Sequence, residues 1–255
     1  MRTGVISGLI ALFTLAACSP ASPLDAMQPG ERGRVVRVID GDALVLDTGQ
    51  SVRLVGIEAP YGGGRDGDAA PFGEEATRSL EDLVMGRKVQ LFYPGLTRDR
   101  YDRALAHVVT DDAAGPDYWV NLELVRRGDV RVRLYPDTDG GGAELLGAES
   151  EAREDERGLW RLIAYDIAGA GDVDADARGY MLVEGTIGAE APLPEEEYRR
   201  TLCARRMKDS DFIIDMAFTS RPACETPEGT RVLVRGWTKE KRMELVHPLH
   251  LEILD

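Results

Sequence analysis

Acidic and basic side chains that suit phosphodiester chemistry are grouped in three short stretches of the chain. They are Asp40-Gly41-Asp42, Arg53 followed by Glu58-Ala59-Pro60, and the run from Asp99 to Ala106. Carboxylates suit Ca²⁺, which takes about six to eight oxygen ligands and tolerates irregular geometry. Arginine suits phosphate, because its planar guanidinium binds two oxygens at once and stays protonated. A metal and two arginines around one phosphate would stabilise the charge that builds on the phosphoryl oxygens as water attacks.

The elements that would position these groups are short strands joined by tight turns. A helix is expected after the glycine-rich loop that begins at Tyr61, because Ala76, Leu80, Leu83 and Val84 fall on one face. Strands are predicted over 35–39, 43–46, 52–57, 89–93 and 104–109, and helices over 74–85, 119–127 and 144–156.

The three stretches and the segments around them resemble the staphylococcal nuclease (thermonuclease) family over residues 34–161, both in their order and in their spacing. The resemblance implies a mainly β fold with helices (α+β), a five-stranded OB-type barrel with three helices. It also implies Ca²⁺-dependent cleavage of DNA and RNA. The matching stretches are Val38–Asp42, Arg53–Pro60, Phe72–Ala76, Asp99–Ala106, Asn121–Gly128 and Gly158-Leu159-Trp160.

The resemblance assigns roles to individual residues of the three stretches. Asp42 and Glu58 would bind calcium directly, with the Ala59 carbonyl beside them and Asp40 in the outer shell. The family pattern also places Arg53 and Arg103 on the scissile phosphate and Tyr101 near the nucleotide. The alternatives are that the arginines simply pair with neighbouring carboxylates on the barrel surface, and that Tyr101 only packs.

One departure from the family bears directly on catalysis. The family has a glutamate that activates water where this chain has Tyr61, directly after Glu58-Ala59-Pro60. Loss of a general base typically slows a reaction by about 10²–10⁴-fold, whereas the metal and arginine contributions can survive. We therefore expect weak hydrolysis. Asp66 or Asp68 in the next loop could act as a substitute base, and the alternative is that both are solvated loop residues.

The first residues have the pattern of a bacterial lipoprotein leader. Arg2 precedes an apolar run from Val5 to Leu15 that is too short to span a bilayer. Leu15-Ala16-Ala17-Cys18 resembles a lipobox, which implies cleavage before Cys18, its lipidation, and attachment of the exported protein to the cell envelope. Ser19 after the cysteine favours the outer membrane, facing the periplasm. The alternative is a secreted protein without a membrane anchor.

Two further cysteines, Cys203 and Cys224, remain once Cys18 is lipidated. In an oxidising compartment one disulfide between them is the simplest account, and two buried free thiols are the alternative. The three histidines, His107, His247 and His250, do not have zinc spacing, and ordinary packing or solvent exposure is expected for the last two.

Beyond Tyr165 the sequence predicts a second, smaller, β-rich and OB-like unit. Strands are expected over 180–185, 211–216, 231–237 and 249–253. Arg199, Arg200, Arg205, Arg206 and Lys208 form a basic stretch that could touch phosphates, although a solvated strand or turn is the simpler interpretation. The expected organisation is a signal peptide at 1–17, a lipid-anchored tether at 18–33, a nuclease-like domain at 34–165, a linker at 166–178 and a β-rich domain at 179–255.

The charge of the chain argues against tight general binding of nucleic acid. The formal net charge is −14, and phosphate contacts from Lys and Arg dominate nucleic-acid affinity. Three functions therefore stay open: a weak Ca²⁺-dependent nuclease acting on DNA or RNA, a catalytically silent barrel that binds nucleic acid or an envelope partner, and a structural lipoprotein.

Overall fold

The computed structural model describes residues 22–60, 70–112, 115–194 and 200–254. In these residues two closed five-stranded barrels follow each other along the chain. The mixed α+β class and the five-stranded barrel expected from the sequence are confirmed. None of the helices in these ranges has the length and apolar character needed to cross a membrane.

The first barrel contains five of seven strands: β1 (Gln28–Asp40), β2 (Ala43–Leu46), β3 (Ser51–Leu54), β4 (Ile57–Glu58), β5 (Lys88–Tyr93), β6 (Ala104–Thr110) and β7 (Arg131–Val132). Its order is β1-β2-β3-β6-β5. It closes because β1 is long enough to pair with β5 through residues 28–34 and with β2 through residues 35–40. β4 and β7 form a separate antiparallel pair. β1 therefore begins earlier than the predicted start of the domain at residue 34.

Three helices pack against this barrel: α1 (Gly73–Val84), α2 (Val120–Arg127) and α3 (Gly142–Glu154). The predicted apolar face of α1 is confirmed, since Ala76, Leu80, Leu83 and Val84 are all buried. Helix α3 buries Glu149 together with Leu145, Ala148 and Ala152, so its buried face is not wholly apolar.

The strand predicted over 52–57 is divided into β3 and β4, and the prediction of one strand was wrong there. Gly56 separates the two pieces with φ of 76°, a conformation that favours glycine. A Cβ at this position would lie 2.6 Å from Leu145 Cδ1 on α3. The break turns the chain so that Glu58 pairs with Arg131 in β7 rather than continuing along the barrel.

The second barrel is formed by five of seven further strands: β8 (Ala168–Gly169), β9 (Arg178–Glu190), β10 (Thr201–Met207), β11 (Ile213–Ala217), β12 (Arg231–Lys239), β13 (Arg242–Leu245) and β14 (Leu251–Ile253). The ring runs β9-β10-β11-β13-β12 and closes through the β12–β9 pairing. β8 adds to this ring by pairing with β9, and β14 adds to it by pairing with β12. The segment 166–178 leads into this barrel and contributes β8 and the buried Val173.

A disulfide joins Cys203 on β10 to Cys224. Cys224 is the last residue of the short helix α4 (Arg221–Cys224). The bond therefore holds α4 against β10 at one end of the second barrel.

The two barrels are joined by buried polar contacts. Arg235 of β12 forms an ion pair with Glu149 of α3, and both side chains are almost completely buried. The Tyr180 hydroxyl donates to the Val132 carbonyl at 2.8 Å, and the Leu134 N–H donates to His250 Nε2 at 3.0 Å. His247 Nε2 lies 2.9 Å from Asp139 Oδ2, so His247 and His250 are both buried residues with hydrogen-bond partners at the contact between the barrels.

Candidate functional site

Five of the predicted site residues line one cleft on the first barrel. These are Asp40, Asp42, Arg53, Glu58 and Arg103, and the cleft has a volume of about 750 Å³. Asp40 ends β1, Asp42 precedes β2, Arg53 lies in β3, Glu58 in β4, and Arg103 directly precedes β6. Residues far apart in sequence thus come together because their strand ends meet at one side of the barrel. We call this depression the catalytic cleft.

The turn at Asp40-Gly41-Asp42 packs closely beneath the cleft. A Cβ on Gly41 would lie 2.7 Å from the Ala59 Cβ and 2.8 Å from the Ala76 Cβ. Glycine therefore permits the turn to approach both α1 and the segment after β4. This approach lets Asp42 Oδ2 accept the Ala59 N–H at 2.7 Å.

Asp42 is a buried carboxylate whose pKa is affected in opposite directions by burial and by Arg53. Burial raises its pKa to about 6, against the lowering effect of Arg53, and neighbouring Asp40 adds to the rise. Its Oδ1 forms an ion pair with Arg53 Nη1. Arg53 reaches this position because Arg53 pairs with Ala43, the residue after Asp42, in the β2–β3 ladder. A second positive charge near Asp42 would favour its ionised form.

Arg53 is shared by the two carboxylates assigned to the metal. Besides its pair with Asp42, its Nη2 donates to Glu58 Oε2 at 2.9 Å. Burial opposes the charge on Arg53, but Asp42 and Glu58 more than offset this effect and raise its pKa. Arg53 therefore pairs with neighbouring carboxylates, as the alternative interpretation of the sequence expected.

Arg103 is held by a carboxylate that belongs to its own loop. Asp99 Oδ2 accepts the Arg103 Nε–H at 2.7 Å, and Asp99 Oδ1 accepts its backbone N–H at 3.0 Å. Burial acts to raise the pKa of Asp99, but the hydrogen bonds from Arg103 and Tyr101 outweigh it and lower this pKa. Asp99 thus fixes the orientation of Arg103 in the cleft.

Tyr101 lies beside Arg103 and does not line the catalytic cleft. The residue is 66% exposed. Arg103 Cζ lies 5.8 Å from the ring centroid, and Arg100 Cζ lies 4.7 Å from it on the exposed loop. The structure thus places Tyr101 at the edge of the site, with its ring open to solvent.

Sequence reasoning missed Arg133. Its backbone N–H donates to the Gly56 carbonyl at 3.0 Å, and its Nη1 donates to Glu58 Oε2 at 3.0 Å. Arg133 therefore shares Glu58 with Arg53. The signal for this contact is the pairing of β4 with β7, two strands of two residues each that have no clear pattern in the sequence.

The donor set of the cleft suits Ca²⁺ by chemical type, because Asp40, Asp42 and Glu58 offer only oxygen. Within the described ranges, no group of three or more His, Cys, Asp or Glu side chains is arranged to hold a metal ion. Arg53 contacts both Asp42 and Glu58 and takes the place between them. The carboxylates thus fit a hard cation by type, with arginine as their present partner.

Several residues with an expected role lie outside the described residues. They are Tyr61, Asp66, Asp68 and Arg199, together with Cys18 and the rest of the leader pattern. Their assignments therefore stay predictions from the sequence.

Comparison with known proteins gives matches to nucleases. The model of the family described as "Staphylococcal nuclease homologue" matches residues 51–162. A thermonuclease of Staphylococcus intermedius is 31% identical over 134 residues, which cover 51% of this chain and 77% of that protein. An uncharacterized endonuclease of Escherichia coli O157:H7 is 37% identical over 131 residues, covering 50% and 76%. An uncharacterized endonuclease of Haemophilus influenzae is 33% identical over 164 residues, covering 62% and 79%.

Proposed function

Because this chain belongs to the staphylococcal nuclease family, we propose that it hydrolyses phosphodiester bonds in nucleic acids. The observation that carries the proposal is the catalytic cleft, in which Arg53 and Arg103 face the same space as Asp42 and Glu58. Guanidinium groups stabilise the charge that grows on phosphoryl oxygens in the transition state. Arginines and carboxylates at one cleft are therefore the groups that this reaction requires.

The two arginines would act on the phosphate in different ways. Arg103 is oriented by Asp99 through Nε, and its two terminal amino groups carry the remaining donors. Arg53 is already shared by Asp42 and Glu58, so a phosphate would compete with these carboxylates for its donors. We assign Arg103 to a preset phosphate contact and Arg53 to one formed as substrate enters.

We also propose that this hydrolysis depends on Ca²⁺. Asp42 and Glu58 would hold the ion, with Asp40 beside them, and the ion would supply positive charge against the phosphoryl oxygens. Support comes from the oxygen-only donor set, since Asp40, Asp42 and Glu58 all line this cleft.

We propose that the reaction is slow, since Tyr61 stands at the position of the family's general base. Loss of such a base typically slows a reaction by about 10²–10⁴-fold. The arginines and carboxylates of the cleft would then carry what activity remains.

Arg103→Ala tests the role of the cleft, with Arg100→Ala as the matched control. Both arginines lie against Tyr101, but Arg100 does not line the cleft. Arg103→Ala should lower kcat on single-stranded DNA by about 10²-fold or more, since the arginine acts on charge that forms in the transition state. Arg100→Ala should stay within a few-fold of the unchanged chain. Equal kcat values for the two variants would contradict the assignment.

A second candidate is a barrel that binds nucleic acid, or a partner in the cell envelope, without cleaving it. The observation that favours it is the pairing of Arg53 with both Asp42 and Glu58, which neutralises much of the charge inside the cleft. Binding of single-stranded DNA with no cleavage under any metal condition would select this candidate.

We further propose that the protein is exported and attached to the cell envelope through lipid on Cys18, at the outer membrane facing the periplasm. The lipobox-like Leu15-Ala16-Ala17-Cys18 supports this. A labelled fatty acid should enter the unchanged chain, but not a Cys18→Ala variant, in a bacterium that has the lipidation pathway. Absence of label from the unchanged chain would refute the anchor.

A further inference from the structure

A pocket of about 480 Å³ lies between the two barrels, and we call it the inter-barrel pocket. Arg133 and Tyr135 line it from the first barrel, and Arg200, Phe218 and Trp237 line it from the second. Its volume falls in the range of small-ligand sites, about 300–1,000 Å³. Three of its side chains are large, aromatic and exposed: Phe218 by 53%, Trp237 by 49% and Tyr135 by 42%. Exposed aromatic side chains that are grouped in one pocket indicate a binding surface.

The inter-barrel pocket and the catalytic cleft each share lining residues with a third depression. This depression is a groove of about 380 Å³, and we call it the connecting groove. It shares Arg53, Glu58 and Arg103 with the cleft, and it shares Arg133 and Tyr135 with the pocket. A ligand that fills the cleft can therefore extend through the groove to the second barrel.

Arg133 contacts residues of both the catalytic cleft and the inter-barrel pocket. Its Nη1 donates to Glu58 in the cleft. Its Cζ lies 4.9 Å from the Tyr135 ring centroid and 5.3 Å from that of Trp237. These are cation–π distances, so the guanidinium holds Trp237 of the second barrel at the end of the groove. About half of Trp237 nevertheless stays open to solvent.

Aromatic rings next to arginines are the combination by which proteins bind single-stranded nucleic acid. Successive bases stack on the rings while cationic groups follow the phosphates. Arg133 and Arg200 provide the cations here, and Trp237 and Phe218 provide rings that an unpaired base can cover. A base inside a duplex is already stacked on both faces, so the pocket favours an unpaired base.

We propose that the inter-barrel pocket binds an unpaired nucleobase of the strand whose phosphate lies in the catalytic cleft, with Trp237 as the stacking surface. The second barrel then contributes directly to substrate binding. The proposal rests on the proposed function for the identity of the strand. Trp237 lies beyond the residues matched by the family model, which end at Leu162.

Binding measured in the presence of a chelator separates this subsite from catalysis. The probes are a fluorescein-labelled single-stranded DNA oligonucleotide and an abasic strand of the same length, mixed with the full chain. Trp237→Ala should raise the dissociation constant for the base-bearing strand by about five- to a hundredfold. It should leave the dissociation constant for the abasic strand unchanged. Ile253→Ala, which removes an exposed apolar side chain elsewhere on the second barrel, should change neither.

Trp237→Phe is a conservative variant that keeps the test valid if Trp237→Ala fails to fold. The smaller ring should retain most of the affinity, and it should remove the quenching of tryptophan fluorescence that the strand causes in the unchanged chain. The subsite is refuted if Trp237→Ala binds the base-bearing strand as the unchanged chain does, if the abasic strand loses affinity equally, or if the unchanged chain binds no strand.

Failure of the subsite and failure of the proposed function give different results. A chain that cleaves DNA but binds it equally with and without Trp237 refutes the subsite and leaves hydrolysis standing. A chain that binds bases through Trp237 and never cleaves supports the subsite and refutes hydrolysis.

Discussion

Arg133 Nη1 donates to Glu58 Oε2 at 3.0 Å, on the oxygen that also accepts from Arg53. Glu58 is thus held at one oxygen by two arginines, one of the barrel wall and one that reaches toward the second barrel. Hydrogen bonds to charged groups contribute about 1.5–3 kcal/mol each. Arg133 therefore contributes to the position of Glu58 as well as to the surface between the barrels.

We expect Arg133→Ala to lower kcat/KM on single-stranded DNA by about tenfold or more, because Glu58 loses one of its two partners. Steady-state kinetics of the full chain measures the effect. Arg178→Ala serves as the control, because Arg178 forms an exposed pair with Glu240 on the second barrel. An Arg133→Ala chain with unchanged kcat/KM would show that Glu58 does not depend on this contact.

The buried pair of Glu149 and Arg235 predicts strong coupling between the barrels. Removal of one partner leaves the other charge buried without compensation, which typically costs about 3–5 kcal/mol. Arg235→Met should therefore lower the free energy of unfolding by about that amount, as measured with urea. Glu149 Oε1 also accepts the Val132 N–H at 2.6 Å, so Glu149→Gln should loosen α3 as well as the second barrel.

The exposed pair of Arg178 and Glu240 is the matched control for this comparison, and its loss should cost at most about 1 kcal/mol. An equal cost for the exposed and buried pairs would contradict the proposed coupling.

His250 predicts a loss of stability in acid. Burial, with the nearby Arg235, lowers its pKa from 6.5 to about 3. Its Nε2 accepts the Leu134 N–H and must therefore be unprotonated. As the pH falls below about 6.5 the unfolded chain takes up a proton, whereas the folded chain does not do so until about pH 3. The contribution of His250 to stability is thus present above pH 6.5 and is lost as the pH falls toward 3.

His250→Gln removes the titration and keeps an acceptor for the Leu134 N–H, because Gln Oε1 reaches the position of His Nε2. Urea unfolding at a series of pH values should show a shallower acid dependence for this variant than for the unchanged chain. The difference should be about 1.4 kcal/mol per pH unit between pH 6 and 4. Identical slopes would show that His250 is not held neutral in the folded protein.

Local patterns in the sequence predicted those parts of the fold that depend on neighbouring residues. The buried face of α1 follows from helical spacing, and the meander of β1, β2 and β3 follows from short apolar runs between turns. The division of β3 from β4 was missed, because it depends on the contact of Gly56 with Leu145, far away in sequence.

The residues of the candidate site were predictable from the sequence, but their partners were not. The groups carried by strand ends of the first barrel meet in one cleft, as the family pattern implies. The partners of these groups were not predictable, since Arg133 reaches Glu58 through the pairing of two very short strands. Trp237 joins the same region only through the docking of a second barrel, which no local pattern reports.

Cleavage of single-stranded DNA by the purified full chain, with calcium and with chelator, tests the central claim most directly. Arg103→Ala measures the background of contaminating nuclease. We expect slow cleavage that requires calcium, exceeds this background and stops with chelator. Tyr61→Glu should raise the rate by about 10²-fold, since a base near the attacking water is restored. No calcium-dependent cleavage by the unchanged chain, together with none after Tyr61→Glu, would contradict the account and leave a barrel that only binds.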